Sequence, residues 1–304
     1  FNISLSKVFL GERANYGFGI FHFRGRRYDI RDFDEYFFER SFGGTGLLNF
    51  PFSKFSRLET AITIANSDKQ LIDGMSDRKA LLWSNSISYV FDNSLWAYSG
   101  PIDGSRLRLS LAYTSDIKYS NVNYFSIIAD FREYLRLSQR TSLAFRTSLY
   151  FNSGKEARRY FMGGSWDLRG WDRWSIRGEK MWFSSLEFRF PLIDEIRIGL
   201  PIVELGFFGI RGAFFYDMGN AWDKEYKETM GSIGGGIRIN LFNVICFRYD
   251  IGKKLRRTFL NFRKGYFTNS FSDGTSKCKT LLLYLFSLSF YSDALLPLLN
   301  WNIN

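Results

Sequence analysis

The chain has 304 residues and a formal net charge of +11, with 19% aromatic residues, two cysteines and one histidine. Cys246 and Cys278 are too few for a disulfide framework and, with His22, too isolated for a metal site, so neither is expected. The positive charge is scattered singly, as at Arg106, Arg108, Arg146, Arg189, Arg238 and Arg248, rather than gathered in a patch, which argues against a nucleic-acid partner.

Hydrophobic residues recur with a period of two. Taken along the chain, strands are expected at about 2–9, 16–23, 37–50, 57–66, 80–92, 105–115, 122–137, 141–153, 180–191, 203–217, 230–241, 244–252 and 262–272. In RLRLSLAYT, Leu107, Leu109, Leu111 and Tyr113 share one face, and Arg106, Arg108, Ser110 and Ala112 the other. SLEFRF sets Leu186, Phe188 and Phe190 against Glu187 and Arg189, and GIRINLF sets Ile237, Ile239 and Leu241 against Arg238 and Asn240. Most of these strands reach the roughly 9 to 11 tilted residues that cross a bilayer. Strands of a soluble sandwich run to about 5 or 6.

Long polar connections are expected at 24–36, 67–79, 154–179, 218–229 and 253–261, alternating with short ones such as GERAN, PFSKFS and SQR. Long loops at one end and short turns at the other mark an outer-membrane barrel, although the connections at 93–104 and 116–121 break the alternation. Lipid solvates no backbone, so a sheet within it must close, with apolar residues outward and polar ones toward a wet lumen. A soluble sandwich or lipocalin-like barrel would turn its apolar face inward and rarely repeats so many long strands.

Several stretches invite other chemistry. The acidic run Asp29, Asp32, Asp34 and Glu35 lacks the spacing of a calcium loop and is expected to be a solvated connection. GSIGGGI has no Lys-Ser/Thr after it and leads into a strand, so its glycines are expected to let the wall bend or pack against a tucked loop rather than cradle phosphate. His22 has no evident triad partner, and no catalytic role or cofactor is expected. Lys253, Lys254, Arg256 and Arg257 are expected to be a solvated loop.

GGSWDLRGW, then SSLEFRFPL, GAFFYDMGNAWD, SIGGGIRINLF and FRYDIG, in order over residues 160–252, resemble the C-terminal half of the bacterial surface antigen barrels of the BamA and TamA type. RRYDIRDFDEYFFE and GPIDGSRLRLSL upstream resemble members in which such a barrel ends a longer periplasmic protein. The resemblance implies an all-β, transmembrane antiparallel β-barrel of sixteen strands, about thirteen of them in this chain, with the RGW loop folded inside. Three strands, and the true N-terminus, are then expected upstream of Phe1.

On that resemblance Arg169 of the RGW loop grips Glu187 on the next strand and Asp217 of the FYD motif, with Trp171 where the family has Phe or Tyr. A loop entering a lumen needs close backbone approach, supplied by Gly163, Gly164 and Gly170, and a multi-donor cation that can hold carboxylates. The expected role is insertion, assembly or translocation of proteins at the outer membrane of a Gram-negative type bacterium. Its partners would be membrane lipid, unfolded outer-membrane proteins and periplasmic accessory domains. The alternatives are a barrel anchor or pore for a large periplasmic propeller or peptidase-like domain encoded upstream, and a diffusion porin, which would not need the RGW loop.

The barrel domain is expected to occupy 1–269 and an aberrant tail 270–304, where strand alternation is lost and the apolar stretch 281–299 is broken by serines and Asp293. The segment from Asn269 to Lys277 can be encoded so that a shifted frame reads Phe-Phe-Phe-Gly-Trp-Asp-Phe and stops. A single-base deletion near Asn269 would explain the tail.

Overall fold

The computed structural model describes residues 2–274 apart from 12, 30–34, 72–76, 98–99, 200–203, 227, 242–244, 259–260 and 263–266. Asp32, Asp34, Cys278 and residues 275–304 of the expected tail lie outside the described residues. The elements are β1 (Ile3–Leu10), β2 (Asn15–Asp29), β3 (Glu35–Pro51), β4 (Ser56–Leu71), β5 (Asp77–Asp92), β6 (Leu95–Ala97), β7 (Gly100–Asp116), β8 (Asn123–Arg136) and β9 (Ser142–Lys155). They continue with β10 (Tyr160–Met162), β11 (Ile176–Gly178), β12 (Lys180–Gly199), β13 (Glu204–Trp222), β14 (Thr229–Leu241), β15 (Ile245–Thr258), β16 (Asn261–Phe262) and β17 (Phe267–Gly274).

One antiparallel sheet joins the long strands in chain order from β1 through β5, then β7, β8, β9, β12, β13, β14 and β15, with β17 beside β15. Each of the thirteen strands expected from the alternation is present. The sheet curls into a barrel wall, and side chains meet across its interior: Arg78 of β5 reaches Glu156 beyond β9, and Arg108 of β7 reaches Glu59 of β4.

The two faces differ as the alternation requires. Outward, Ile20, Ile62, Ile64, Leu109, Leu111, Phe125, Leu149, Leu186, Phe214 and Ile233 are exposed. Inward, Glu39, Ser67, Ser110, Asp130, Arg132, Ser148, Glu187, Asp217 and Arg238 are buried. Apolar outside and polar inside is the inverse of a soluble barrel and suits a lipid surround.

The connections differ from expectation. Residues within 24–36 and 67–79 are largely paired strand rather than loop, since β2 and β3 pair out to Asp29 and Glu35, and β4 and β5 out to Gln70 and Asp77. Likewise β13 runs on to Trp222 and β15 to Thr258, into the connections expected at 218–229 and 253–261. Polar side chains on both faces read as loop in sequence, yet the backbone ladder continues wherever both strands stay extended.

The two irregular connections also acquire causes. At 116–121 the Asp116 carboxylate accepts hydrogen bonds from the backbone N–H groups of Lys118, Tyr119 and Asn121 at 3.0–3.1 Å, which allows a tight turn. At 93–104, β6 folds back on the start of β7, and Arg189 of β12 donates to the Pro101 carbonyl at 3.1 Å. That connection therefore reaches into the lumen from the short-turn end.

Leu111→Arg, on the outward face near the middle of β7, should destabilise the protein in lipid vesicles by about 2–4 kcal/mol. Reversible urea unfolding from the vesicles measures this, and unchanged stability would show that Leu111 does not face hydrocarbon.

Candidate functional site

The long connection between β9 and β12 begins with a three-residue hairpin, β10 against β11, with Tyr160 opposite Gly178 and Met162 opposite Ile176. The hairpin has no signature in the sequence, being too short to alternate. Its apolar side chains enter the lumen: Met162, Leu168, Trp171 and Ile176 form a buried cluster with Met181, Phe183 and Ala221 of β12 and β13. The lumen beside these strands is therefore partly filled by apolar side chains, a departure from the expected polar interior. The driving force is the ordinary one, since an apolar loop face inside a barrel leaves water by covering the wall.

Between the hairpin strands the chain turns sharply. Gly163, Gly164 and Gly170 all have positive φ, at 114°, 106° and 85°. A side chain at Gly163 would also run into the Asp172 carbonyl oxygen. Gly170 lies against the wall at Gly252, whose added Cβ would be 3.6 Å from the Gly170 Cα.

This geometry delivers Arg169 to the inner face of β12 and β13. Its Nε and Nη2 donate to the two Asp217 oxygens, each at 2.6 Å, while Nη1 donates to Glu187 Oε2 at 2.5 Å. Nη2 also reaches Ser185 Oγ at 3.2 Å, and the guanidinium lies 3.6 Å from the centre of the Phe215 ring. Arg169 is 3% exposed and Asp217 fully buried. Burial alone would lower the Arg169 pKa, but the neighbouring Asp217 and Glu187 carboxylates outweigh it and hold the guanidinium charged above its ordinary range.

The structure thus brings Arg169, Glu187 and Asp217 together, with Gly170 and Trp171 beside them. Trp171 Nε1 donates to the Gly231 carbonyl at 2.9 Å, and Lys254 Nζ stands 5.2 Å from the centre of its ring. The indole thereby ties the loop to β14 with a hydrogen bond that Phe could not make.

Sequence reasoning missed a second tier. Glu187 also accepts from Arg189 Nε at 2.6 Å and Arg238 Nη2 at 2.8 Å, while Arg248 Nε donates to Asp250 at 2.6 Å. Asp250 lies 3.7 Å from Arg169 Nη1. The signal was available, because Arg238 and Asp250 alternate inward within GIRINLF and FRYDIG, but their meeting depends on the register between β14 and β15, which pairs Arg238 with Arg248 and Gly236 with Asp250.

The glycines of GSIGGGI now have a steric cause. A Cβ on Gly236 would collide with an Asp250 carboxylate oxygen, and one on Gly234 would lie 2.6 Å from the Phe215 ring. Bare backbone on β14 leaves room for the ring under Arg169 and for the second-tier carboxylate.

An Omp85 superfamily domain model matches residues 2–258. No curated protein matches the chain at a significant level. Among solved structures, the chain is similar to BamA from Haemophilus ducreyi lacking POTRA domains 1–3, with 15% identity and a TM-score of 0.68 over 89% of this chain and 62% of that one. It is also similar to CdiB from Acinetobacter baumannii, with 13% identity and a TM-score of 0.56 over 90% of this chain and 49% of that one. CdiB from Escherichia coli gives 13% and 0.53 over 89% and 52%. At such identities the likeness is one of fold, and the chain spans about half to three fifths of these three structures.

Arg169→Ala should cost about 3–5 kcal/mol, because it leaves the buried Asp217 carboxylate with the Ser185 hydroxyl in place of a guanidinium. Arg169→Lys should recover only part of this, since an ammonium cannot span both Asp217 oxygens and Glu187. Heat-dependent gel migration together with proteolysis of the 156–175 loop checks both variants, and loop protection equal to that of the native chain in Arg169→Ala would refute the expectation.

Proposed function

The chain belongs to the Omp85 superfamily, and from that premise we propose that it takes part in inserting, assembling or translocating proteins at the outer membrane of a Gram-negative type bacterium. The observation that carries the proposal is the loop held inside the barrel by Arg169, Glu187 and Asp217. A diffusion pore works best with an open lumen, whereas this lumen is occupied by a segment fastened through buried charges and an apolar cluster. In this reading Arg169 is a latch. It keeps the loop seated and braces β12 and β13 against one another, so that the barrel presents its partners with a wall of defined shape.

The role is non-enzymatic and uses the barrel's own physics: apolar outward faces contact lipid, and strand edges offer backbone donors and acceptors to an incoming strand. Its partners in this reading are membrane lipid, unfolded outer-membrane proteins and periplasmic accessory domains. The competing reading is a membrane anchor or pore for a large periplasmic domain. The two readings differ in whether the protein changes the folding rate of another barrel.

The full-length protein in lipid vesicles should speed insertion of a urea-unfolded outer-membrane barrel by at least roughly tenfold, a barrier change of about 1.4 kcal/mol. Arg169→Ala should lose most of that gain. A rate equal to that of protein-free vesicles would favour the anchor.

A further inference from the structure

Beyond the apolar belt, toward the end that bears the 156–175 loop, the outward faces of β2 to β5 carry a charged row. Arg24, Arg40, Asp68 and Lys79 stand opposite one another across the four strands, and Arg26 lies two residues further along β2. Arg24, Arg26, Arg40 and Lys79 are exposed, with Asp68 half-buried among them and Asp77 exposed in the next row. Arg24 and Arg40 are directly cross-strand, a placement in which like charges repel.

The opposite face of the same strands is organised differently. Inward, Arg27 pairs with Glu39 at 3.0 Å, and Arg78 approaches the same carboxylate at 3.8 Å. Outward, the arginines rest on rings instead: Arg26 lies 4.1 Å from the Tyr36 ring centre and Arg40 5.0 Å from that of Phe42, and Arg40 Nε donates to His22 Nε2 at 3.3 Å. A guanidinium lying on an aromatic face keeps further N–H groups for a second partner.

The two rows below supply the other half of a lipid. His22, Phe42, Asn66 and Leu81 come first, then Ile20, Gly44, Ile64 and Trp83, with Ile20, Ile64 and Trp83 exposed. Cations therefore stand at the rim of an apolar surface, where headgroup phosphates of a bilayer would lie.

We propose that Arg24 and Arg40, flanked by Arg26 and Lys79, form a binding site for membrane lipids whose phosphate headgroup carries a net negative charge. The site relieves the Arg24–Arg40 repulsion by placing an anion between the two guanidinium forks, and the exposed Ile20, Ile64 and Trp83 beneath take the acyl chains. It holds the wall at a fixed height in the bilayer at the end where the latched loop sits. This rests on the reading of the chain as a membrane barrel, but not on its assembly role.

The test is native mass spectrometry of the detergent-solubilised full-length protein titrated in parallel with phosphatidic acid, phosphatidylcholine and inorganic phosphate. Phosphatidic acid should be retained at roughly tenfold lower concentration than phosphatidylcholine. Arg24→Gln with Arg40→Gln should bring the two lipids together, and Arg24→Lys with Arg40→Lys should keep part of the preference. Equal retention of both lipids in the native protein overturns the proposal, as does an unchanged preference in the glutamine variant. Displacement of phosphatidic acid by an equal concentration of inorganic phosphate would assign the site to a free anion and overturn it too. Should the double glutamine variant fail to fold, Arg24→Gln alone is read in the same way. Because no substrate protein is present, failure of the assembly role leaves this result standing.

Discussion

A guanidinium taken out of water costs several kcal/mol, and that cost is recovered only where its donors meet acceptors in good geometry. Arg169 meets that condition: both Asp217 oxygens, Glu187 and Ser185 receive its N–H groups while the Phe215 ring lies against its face. Much of the surrounding architecture follows from that demand. The glycines at 163, 164 and 170 let the chain turn tightly enough to reach the wall, and those at 234 and 236 clear the wall for Phe215 and Asp250. The Met162, Leu168 and Trp171 cluster excludes water from the approach, which strengthens each ion pair it encloses.

The same arrangement recurs along the lumen in simpler form. Asp130 joins Arg132 and Arg146, Glu39 joins Arg27 and Arg78, and Glu59 joins Arg57 and Arg108. One carboxylate shared by two arginines knits neighbouring strands, and sometimes more distant ones, on the inner face of the wall. Around Glu187 the motif grows to Arg169, Arg189, Arg238 and, at 3.8 Å, Arg248, with Arg169 brought in by a loop. This explains how a chain of mildly negative mean hydropathy forms a stable barrel: charge and hydrogen bonds join the apolar loop cluster in holding the interior together, and most of the large exposed apolar residues lie on the outward faces.

Strand number was legible because lipid outside and charge inside impose the alternation on every wall strand, as with Leu109 and Leu111 outward around Ser110 inward. Strand length was not, since β2 and β3 run to Asp29 and Glu35 through polar residues that resemble a loop. Of the site, Arg169, Glu187 and Asp217 were legible through ordered motifs. Ser185, Phe215, Arg238 and Asp250 were visible only as inward positions, because alternation gives a face but not a cross-strand neighbour. The β10–β11 hairpin and the Pro101 carbonyl that receives Arg189 left no trace, as both depend on backbone paths rather than side-chain pattern.

Arg169 and Asp217 hold the loop through their mutual interaction, and a double-mutant cycle measures that coupling. Urea unfolding from lipid vesicles would be compared for the native chain, Arg169→Met, Asp217→Asn and the double variant. A coupling of about 1–3 kcal/mol is expected, with the double variant much less impaired than the sum of the single changes. Additivity within about 0.5 kcal/mol would contradict it.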